Sequence, residues 1–130
     1  MAKYANPTMM DSALNWIRGD TITTLGATRM DVCSALPTSY AEALSLSLAS
    51  CALTTASFDA PTTAAGSARL LNVLAQADKT ITASGTATHV VLTGTGSVLM
   101  YATECTTQAL TSNNTVTIPA WTITVDDNNA

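Results

Sequence analysis

The chain has 130 residues, of which 47% are hydrophobic and only 11% are charged, and its formal net charge is −4 at pH 7. This length is typical of one domain, while the charged fraction is less than half of the roughly 25% that is usual in globular proteins. The five basic residues are scattered and form no cluster, which argues against nucleic-acid partners and anionic membrane surfaces: Lys3, Arg18, Arg29, Arg69 and Lys79.

Residues 1–20 are predicted to form an N-terminal helical segment. Asn6 has the chemistry of an N-cap, and Pro7 suits the first helical position because its missing N–H has no helical partner there. Apolar residues then recur at the spacing of one helical face: Met10, Ala13, Leu14 and Ile17. Gly19 predicts the C-terminal end of this helix.

The next segment is predicted to be mostly extended. Thr21–Leu25 is expected to be a short connecting strand, and Arg29–Ala35 a better-defined one, because its residues alternate with period two. Ser39 and Glu42 have the spacing of a capping box, which predicts one short helical turn. That turn ends where Ser45–Leu48 begins to alternate strictly, as a strand does.

Residues 54–67 form the longest predicted loop, since they are small and polar and include Pro61 and Gly66. Strands are predicted after this loop, with a break near Ala77–Asp78 and a hairpin connection across Thr93–Ser97: Arg69–Gln76, Lys79–Ala83, Thr86–Leu92 and Val98–Cys105.

Two changes in the phase of alternation predict β-bulges. Cys51 and Leu53 fall out of phase with the preceding strand, which places a bulge near Ala49 or Ser50. The last strand changes phase at Pro119, a residue expected at a bulge or on an edge strand. Val116 and Ile118 lie on one phase before it, and the other phase follows: Trp121, Ile123 and Val125.

Threonine brackets a single apolar residue at four places, which predicts strands with the apolar side chain inward and the hydroxyls outward: Thr80–Thr82, Thr86–Thr88, Thr115–Thr117 and Thr122–Thr124. These pairs recur at irregular intervals, which argues against the regular solenoids of T-x-T ice-binding proteins. The predicted fold is mainly β: an antiparallel β-sandwich or small barrel with an N-terminal helix and one short helical turn. Residues 1–130 form one domain, with 1–20 helical, 21–125 the β-sandwich and 126–130 a polar tail.

The sequence offers few residues with reactive chemistry. The three cysteines Cys33, Cys51 and Cys105 are widely spaced, and buried free thiols are favoured over a strand-bridging or intersubunit disulfide. His89 is the only histidine and is expected to be a hydrogen-bonded strand residue rather than a catalytic base. The acidic end at 126–129 lacks the ligand spacing of a calcium loop, and Gly94–Gly96 is expected to be a hairpin turn. We therefore predict no catalytic, cofactor-binding or metal-binding residue and no enzymatic activity.

No apolar run approaches the roughly 18 residues of a membrane span, and the N-terminus lacks the apolar core of a secretory signal. We therefore expect the protein to be made in the cytoplasm and to stay there, unless it leaves by lysis or by export without a signal peptide. The chain is accordingly not expected to be membrane-bound.

Four segments together resemble a family of small tailed-bacteriophage virion structural proteins: Lys3–Pro7, Pro37–Ala43, Gly85–Val90 and Leu99–Trp121. The resemblance spans most of the chain and is weakest over residues 54–67. It implies a virion component made in the host bacterial cytoplasm. Two roles are consistent with it: a head decoration, or cement, protein on the capsid, and a neck, collar or tail subunit.

The resemblance also implies partners: the major capsid protein or neck and tail proteins of the same virion, and further copies in a homo-oligomer. Aromatic and methionine side chains are enriched at interfaces, which gives the candidate contact residues: Tyr4, Met9, Met10, Trp16 and Trp121. A soluble carbohydrate-binding module is a more distant alternative, and it requires aromatic residues grouped on one exposed face.

Overall fold

Antiparallel strand pairing organises the chain. The computed structural model describes residues 14, 17, 27–63, 69–94 and 97–125. Over these residues a helix α1 (Tyr40–Leu46) and a 3-10 turn at Thr55–Ser57 accompany the following strands: β1 (Ala27–Cys33), β2 (Ser47–Ala52), β3 (Thr62–Thr63), β4 (Arg69–Val73), β5 (Gln76–Thr80), β6 (Gly85–Gly94), β7 (Val98–Leu110), β8 (Thr115–Ile118) and β9 (Trp121–Val125).

The strands form separate sheets rather than one closed surface. A four-stranded sheet has the order β2-β1-β6-β7, a three-stranded sheet the order β3-β4-β9, and β5 pairs with β8. Every ladder is antiparallel. The expectation of a mainly β, antiparallel sandwich is therefore confirmed, whereas the small-barrel alternative is wrong because the four-stranded sheet ends in two distinct edge strands.

One apolar cluster joins the sheets. Leu14, Met30, Leu71 and Leu92 are fully buried in it, and Ile17 packs against it. Leu14 and Ile17 are both helical, as predicted for the N-terminal segment. The remaining predicted elements of residues 1–26, including Thr21–Leu25, lie outside the described residues, as does the tail at 126–130.

The apolar residues that lie between two threonines point inward, as predicted. Ile81, Ala87 and Ile123 are buried, and Val116 is half-buried. The flanking threonines are exposed, apart from Thr88, which is half-buried. The predicted inward and outward directions are therefore confirmed at all four places, and the predicted strands at three of them; β5 ends at Thr80, and Ile81 forms only an isolated bridge to Ala49.

Strand β1 is buried on both faces. Met30 and Val32 enter the main cluster, as their alternation predicted, while Cys33 packs with Ala43 and Val91 in a second cluster beneath α1. We call the face of the four-stranded sheet that carries this second cluster the helix face. Because α1 covers the helix face, the polar side chains of β1 that lie on this face are enclosed as well.

Helix α1 begins at the predicted cap. The Ser39 hydroxyl accepts a hydrogen bond from the Glu42 backbone N–H at 3.2 Å, which satisfies one of the orphan donors of the first turn. The Glu42 carboxylate instead accepts from the Thr38 hydroxyl at 3.0 Å, so the reciprocal half of a capping box is replaced by a side-chain contact. The helix ends where β2 begins at Ser47. Among the described residues, no helix has the length and apolar character needed to cross a membrane.

The first predicted bulge exists one residue earlier than expected. Val32 pairs with Ala49 and Cys33 with Ser47, so Leu48 is the extra residue, whereas the sequence indicated Ala49 or Ser50. The Leu48 carbonyl accepts from the Thr82 backbone N–H at 2.8 Å. The bulge thus turns a backbone acceptor toward the segment that follows β5.

The phase change at Pro119 is not a bulge. Strand β8 pairs with β5, whereas β9 pairs with β4, so the chain passes from one sheet to another between Ile118 and Trp121. Each strand then places its own apolar phase inward, which buries both Ile118 and Ile123. The predicted single strand was wrong because alternation reports the faces of a strand and not the sheet that it joins.

Several boundaries also differ from prediction. Strand β4 ends at Val73, and the expected break near Ala77–Asp78 is instead an irregularity within β5, where Asp78 has a φ of 54°. The 54–67 loop contains the 3-10 turn and β3, and its Phe58 is buried and bridges to Val73. The predicted hairpin of β6 and β7 is confirmed, and both strands extend further than expected.

Candidate functional site

The polar chemistry of the four-stranded sheet is concentrated on its helix face. Cross-strand pairing places Ser47, Cys33, His89 and Glu104 in one row across the four strands. A thiol, an imidazole and a carboxylate side by side are the groups of a nucleophilic site. Their environments therefore decide whether this row could be reactive.

A satisfied ion pair lies beside this row. Asp31 is fully buried, and its carboxylate accepts from the Arg29 Nη2 at 2.7 Å and the Arg29 Nε at 3.0 Å. The Ser47 hydroxyl donates to the same carboxylate at 2.6 Å. The hydrogen bond with Asp31 raises the pKa of Arg29. These charge-assisted bonds join β1 to β2 and leave the buried carboxylate paired, which is a structural arrangement.

The Cys33 thiol lacks the features of a nucleophile. It is fully buried and donates to the Ala43 carbonyl with a sulfur–oxygen distance of 3.6 Å. Burial raises the pKa of Cys33 to about 12, whereas reactive cysteines have lowered values. Burial also raises the pKa of Cys51 and of Cys105. All three cysteines are free thiols; Cys33 and Cys51 are buried, as predicted, whereas Cys105 is only half-buried.

His89 is a hydrogen-bonded strand residue, as predicted. It lies in the interior strand β6, and its Nδ1 is 2.8 Å from the Thr88 hydroxyl. Glu104 is its cross-strand neighbour on β7, a proximity that the sequence left open, whereas Asp78 lies on β5. Within the described residues, no group of three His, Cys, Asp or Glu side chains could hold a metal ion.

An open cleft lies at the opposite, core-facing side of β7. Its volume is about 560 Å³, and its walls are Thr103–Thr106 of β7 and Ile118–Thr122 around the β8–β9 connection, with Val90 also contributing. A smaller cavity of about 170 Å³ adjoins it and reaches Leu110. We call the larger space the edge cleft. It combines threonine hydroxyls with an apolar floor, as binding surfaces do.

Trp121 forms one wall of the edge cleft. Its ring stacks on Tyr101 with centroids 6.0 Å apart and an interplanar angle of 19°. The Trp121 Nε1 is buried and has no acceptor among the described residues. An unpaired buried donor of this kind carries a desolvation penalty of roughly 1–3 kcal/mol, which an incoming acceptor would relieve.

Trp121 is the one sequence-predicted contact residue that the structure describes, and it lies at an open surface. Tyr4, Met9, Met10 and Trp16 lie outside the described residues. The contact role of all five stays a prediction. Sequence reasoning missed the edge cleft itself, although the phase change at Pro119 was a signal that two strands part there.

Strand β7 deviates from its partner beside the edge cleft. Ala87 pairs with Gln108 and His89 with Glu104, so Cys105–Thr107 oppose Thr88 alone. Such a bulge leaves backbone groups out of the ladder and bends the strand.

Comparisons with family models, with curated proteins and with solved structures found no match to this chain.

Proposed function

We propose that this chain is a non-enzymatic structural protein of a tailed-bacteriophage virion, and specifically a decoration protein bound to the outside of the capsid. The observation that carries the proposal is the long, nearly uncharged edge strand β7 beside an open cleft. Such a surface is suited to burial against other protein, because charged residues are depleted at the centres of interfaces.

The enclosed chemistry supports a structural role. The charges of Arg29 and Asp31 neutralise each other within the fold, and the thiol of Cys33 is held protonated by burial. A decoration protein needs no reactive group, because its task is to add buried interface across the junctions of a shell. The expected partners are the major capsid protein and further copies of the chain.

The alternative virion role is a neck, collar or tail subunit. The same edge strand would then contact a different surface of the next copy, since a closed ring is built from repeated head-to-tail contacts. The two roles differ in copy number and position rather than in the surface they use.

A carbohydrate-binding module is the more distant alternative. Sugar platforms need exposed aromatic faces, but Phe58 is buried and Tyr101 and Trp121 stack on each other. This arrangement favours protein contact at the edge cleft over a sugar platform.

Quantitative mass spectrometry and cryo-electron microscopy of purified particles test the proposal. Hundreds of copies distributed over the shell are expected for a decoration protein. One ring of copies at a single vertex would support the neck or tail alternative instead. Absence of the chain from particles would overturn the virion role and leave the binding module as the remaining candidate.

A further inference from the structure

The edges of the described sheets are protected against further strands to different degrees. On β2, Leu48 is an extra residue whose carbonyl accepts from the Thr82 N–H. On β7, the ladder is interrupted at Met100 and again at Cys105–Thr107, so its side chains can contact a partner but its backbone is not a continuous template. On β5, Lys79 adds a charge. Bulges and charges are devices by which proteins stop an edge from accepting a strand.

Strand β9 has neither a bulge nor a charge. Its five residues contain no proline or glycine, and their ladder with β4 runs without a register shift. Within the described part of the chain, β4 is the only strand that pairs with it, and the edges of β3 and β8 are shorter, with two and four residues. The edge cleft lies at the start of β9, where Trp121 and Thr122 form part of its wall. The outer edge of β9 is therefore the described edge best suited to receive a further strand.

We propose that the outer edge of β9 binds an extended, basic segment of a partner protein, which adds as an antiparallel strand and places an apolar side chain in the edge cleft. Backbone hydrogen bonds give such a contact its affinity, and a pocket for a side chain gives its specificity. Val90, Ile118 and Pro119 provide apolar walls for that side chain. This inference deepens the proposed function, on which it rests for the identity of the partner, because it states what kind of segment the partner must present.

The occupant must bring side chains that are not already buried in a fold of their own. A strand added beside β9 points every second side chain toward the inner face of the sheet, where the edge cleft lies. In a second copy, Ile123 of β9 is only 3% exposed, and Trp121 and Val125 pack against the core of that copy. Its β9, the least protected edge that a second copy offers, therefore has no apolar side chain left to enter the cleft. A flexible segment of another protein has its side chains free.

Charge complementarity selects a basic segment. The sequence contains no lysine or arginine after Lys79, so the part of the chain that builds the cleft has carboxylates without fixed cations. Glu104 is the one charged residue among the described residues that line the edge cleft, and Asp126 and Asp127 follow β9 directly in the sequence. The amino end of a strand antiparallel to β9 lies beside Val125, one residue before Asp126. Basic residues at that end are attracted by these carboxylates, whereas acidic residues are repelled.

Fluorescence anisotropy of labelled synthetic peptides mixed with the full chain tests the proposal. The basic probe has two lysines followed by alternating leucines and threonines, and the acidic probe has two glutamates in place of the lysines. Because five residues give a strand only about 17 Å long, we expect the basic probe to bind with a dissociation constant of about 100 μM. The acidic probe should bind at least about tenfold more weakly, and added salt should reduce this difference.

A lysine on β9 locates the contact. Thr124→Lys places a cation at an exposed position beside Val125, so it should weaken binding of the basic probe by about tenfold and strengthen binding of the acidic probe, a reversal that unfolding cannot produce. Thr62→Lys is the matched control, because Thr62 is also exposed and lies in the same cross-strand row, on β3 at the opposite edge of the sheet. This variant should bind both probes like the wild type. Thr122→Lys replaces Thr124→Lys if circular dichroism shows that the latter is unfolded.

Hydrogen exchange identifies the occupied edge without a substitution. Amides of β9 should gain protection when the basic probe is added, while those of β2 stay unchanged. Absence of binding, equal binding of the two probes at low salt, or equal effects of the β9 and β3 lysines would overturn the inference. Protection of β9 that rises with protein concentration in the absence of peptide would also overturn it, in favour of a second copy. None of these results depends on particles, so the virion role and this binding edge can fail separately.

Discussion

The Asp31 ion pair on the helix face and the edge cleft border the same four-stranded sheet, yet their polar groups have different surroundings. On the helix face, Asp31 is enclosed with every donor it needs from Arg29 and Ser47. At the edge cleft, the threonine hydroxyls are accessible, and the Trp121 Nε1 is buried without an acceptor among the described residues. Enclosed and satisfied groups hold a fold together, whereas open or unsatisfied groups mark a surface where a partner can contribute. The edge cleft is therefore the region where a partner is expected to bind.

The largest expected effect is on the helix face. Asp31→Asn removes the buried charge that pairs with Arg29 and should lower the free energy of unfolding by about 3 kcal/mol, because the guanidinium loses its counter-charge and an amide NH2 replaces one of the two acceptor oxygens. Urea denaturation followed by circular dichroism measures the loss. Glu104→Gln is the matched control, since this carboxylate is exposed, and should change stability by less than about 0.5 kcal/mol. Equal effects of the two substitutions would contradict the structural role of the ion pair.

The next largest expected effect is a difference in thiol reactivity between the helix face and the edge cleft. Cys33 is fully buried with a pKa of about 12, so it should resist maleimide in the native protein near pH 8. Cys105, which lines the edge cleft and is half-buried, should react, but more slowly than an exposed cysteine because burial raises its pKa.

The pH dependence of this labelling has a defined sign. A raised pKa means less thiolate at a given pH, so the Cys105 rate should rise with pH by about tenfold per unit below its pKa. Mass spectrometry of labelled peptides measures both sites. Labelling of Cys33 before Cys105 in folded protein would contradict the contrast between the enclosed and the open region.

The smallest expected effect is at the cleft wall. Trp121→Phe removes the indole N–H, which has no acceptor in the described part of the chain, together with some packing against Tyr101, and the two changes offset each other. We expect the free energy of unfolding of the monomer to change by less than about 1 kcal/mol. Tyr101→Phe keeps the stack and serves as the control. A loss above about 2 kcal/mol for Trp121→Phe, measured by urea denaturation, would mean that the indole N–H is satisfied in the folded chain.

Local patterns in the sequence predicted the local structure well. The Ser39 cap, the β6–β7 hairpin and the inward side chains of the T-x-T strands depend on neighbours close in sequence or on the period-two geometry of a strand. The bulge at Leu48 was displaced by one residue, since alternation locates a phase change only to within the residues that separate the two phases.

The candidate site was less predictable. Trp121 was singled out for its chemistry, but the cleft it lines is made by residues of β7 and of the β8–β9 connection. The burial of Asp31 was likewise not predictable from its own strand. The helix that covers it begins at a cap formed by Ser39 and Glu42, which lie outside the strand that contains Asp31.

The sequence by itself determined a mainly β chain with threonine outward, apolar residues inward and little reactive chemistry, because composition and alternation are properties of adjacent residues. Only the tertiary structure decided that β8 and β9 join different sheets, that Asp31 is enclosed and that β7 ends the four-stranded sheet. Those outcomes depend on which distant strands pair. Pairing is set by the total surface that the sheets bury together, a quantity that no single segment carries.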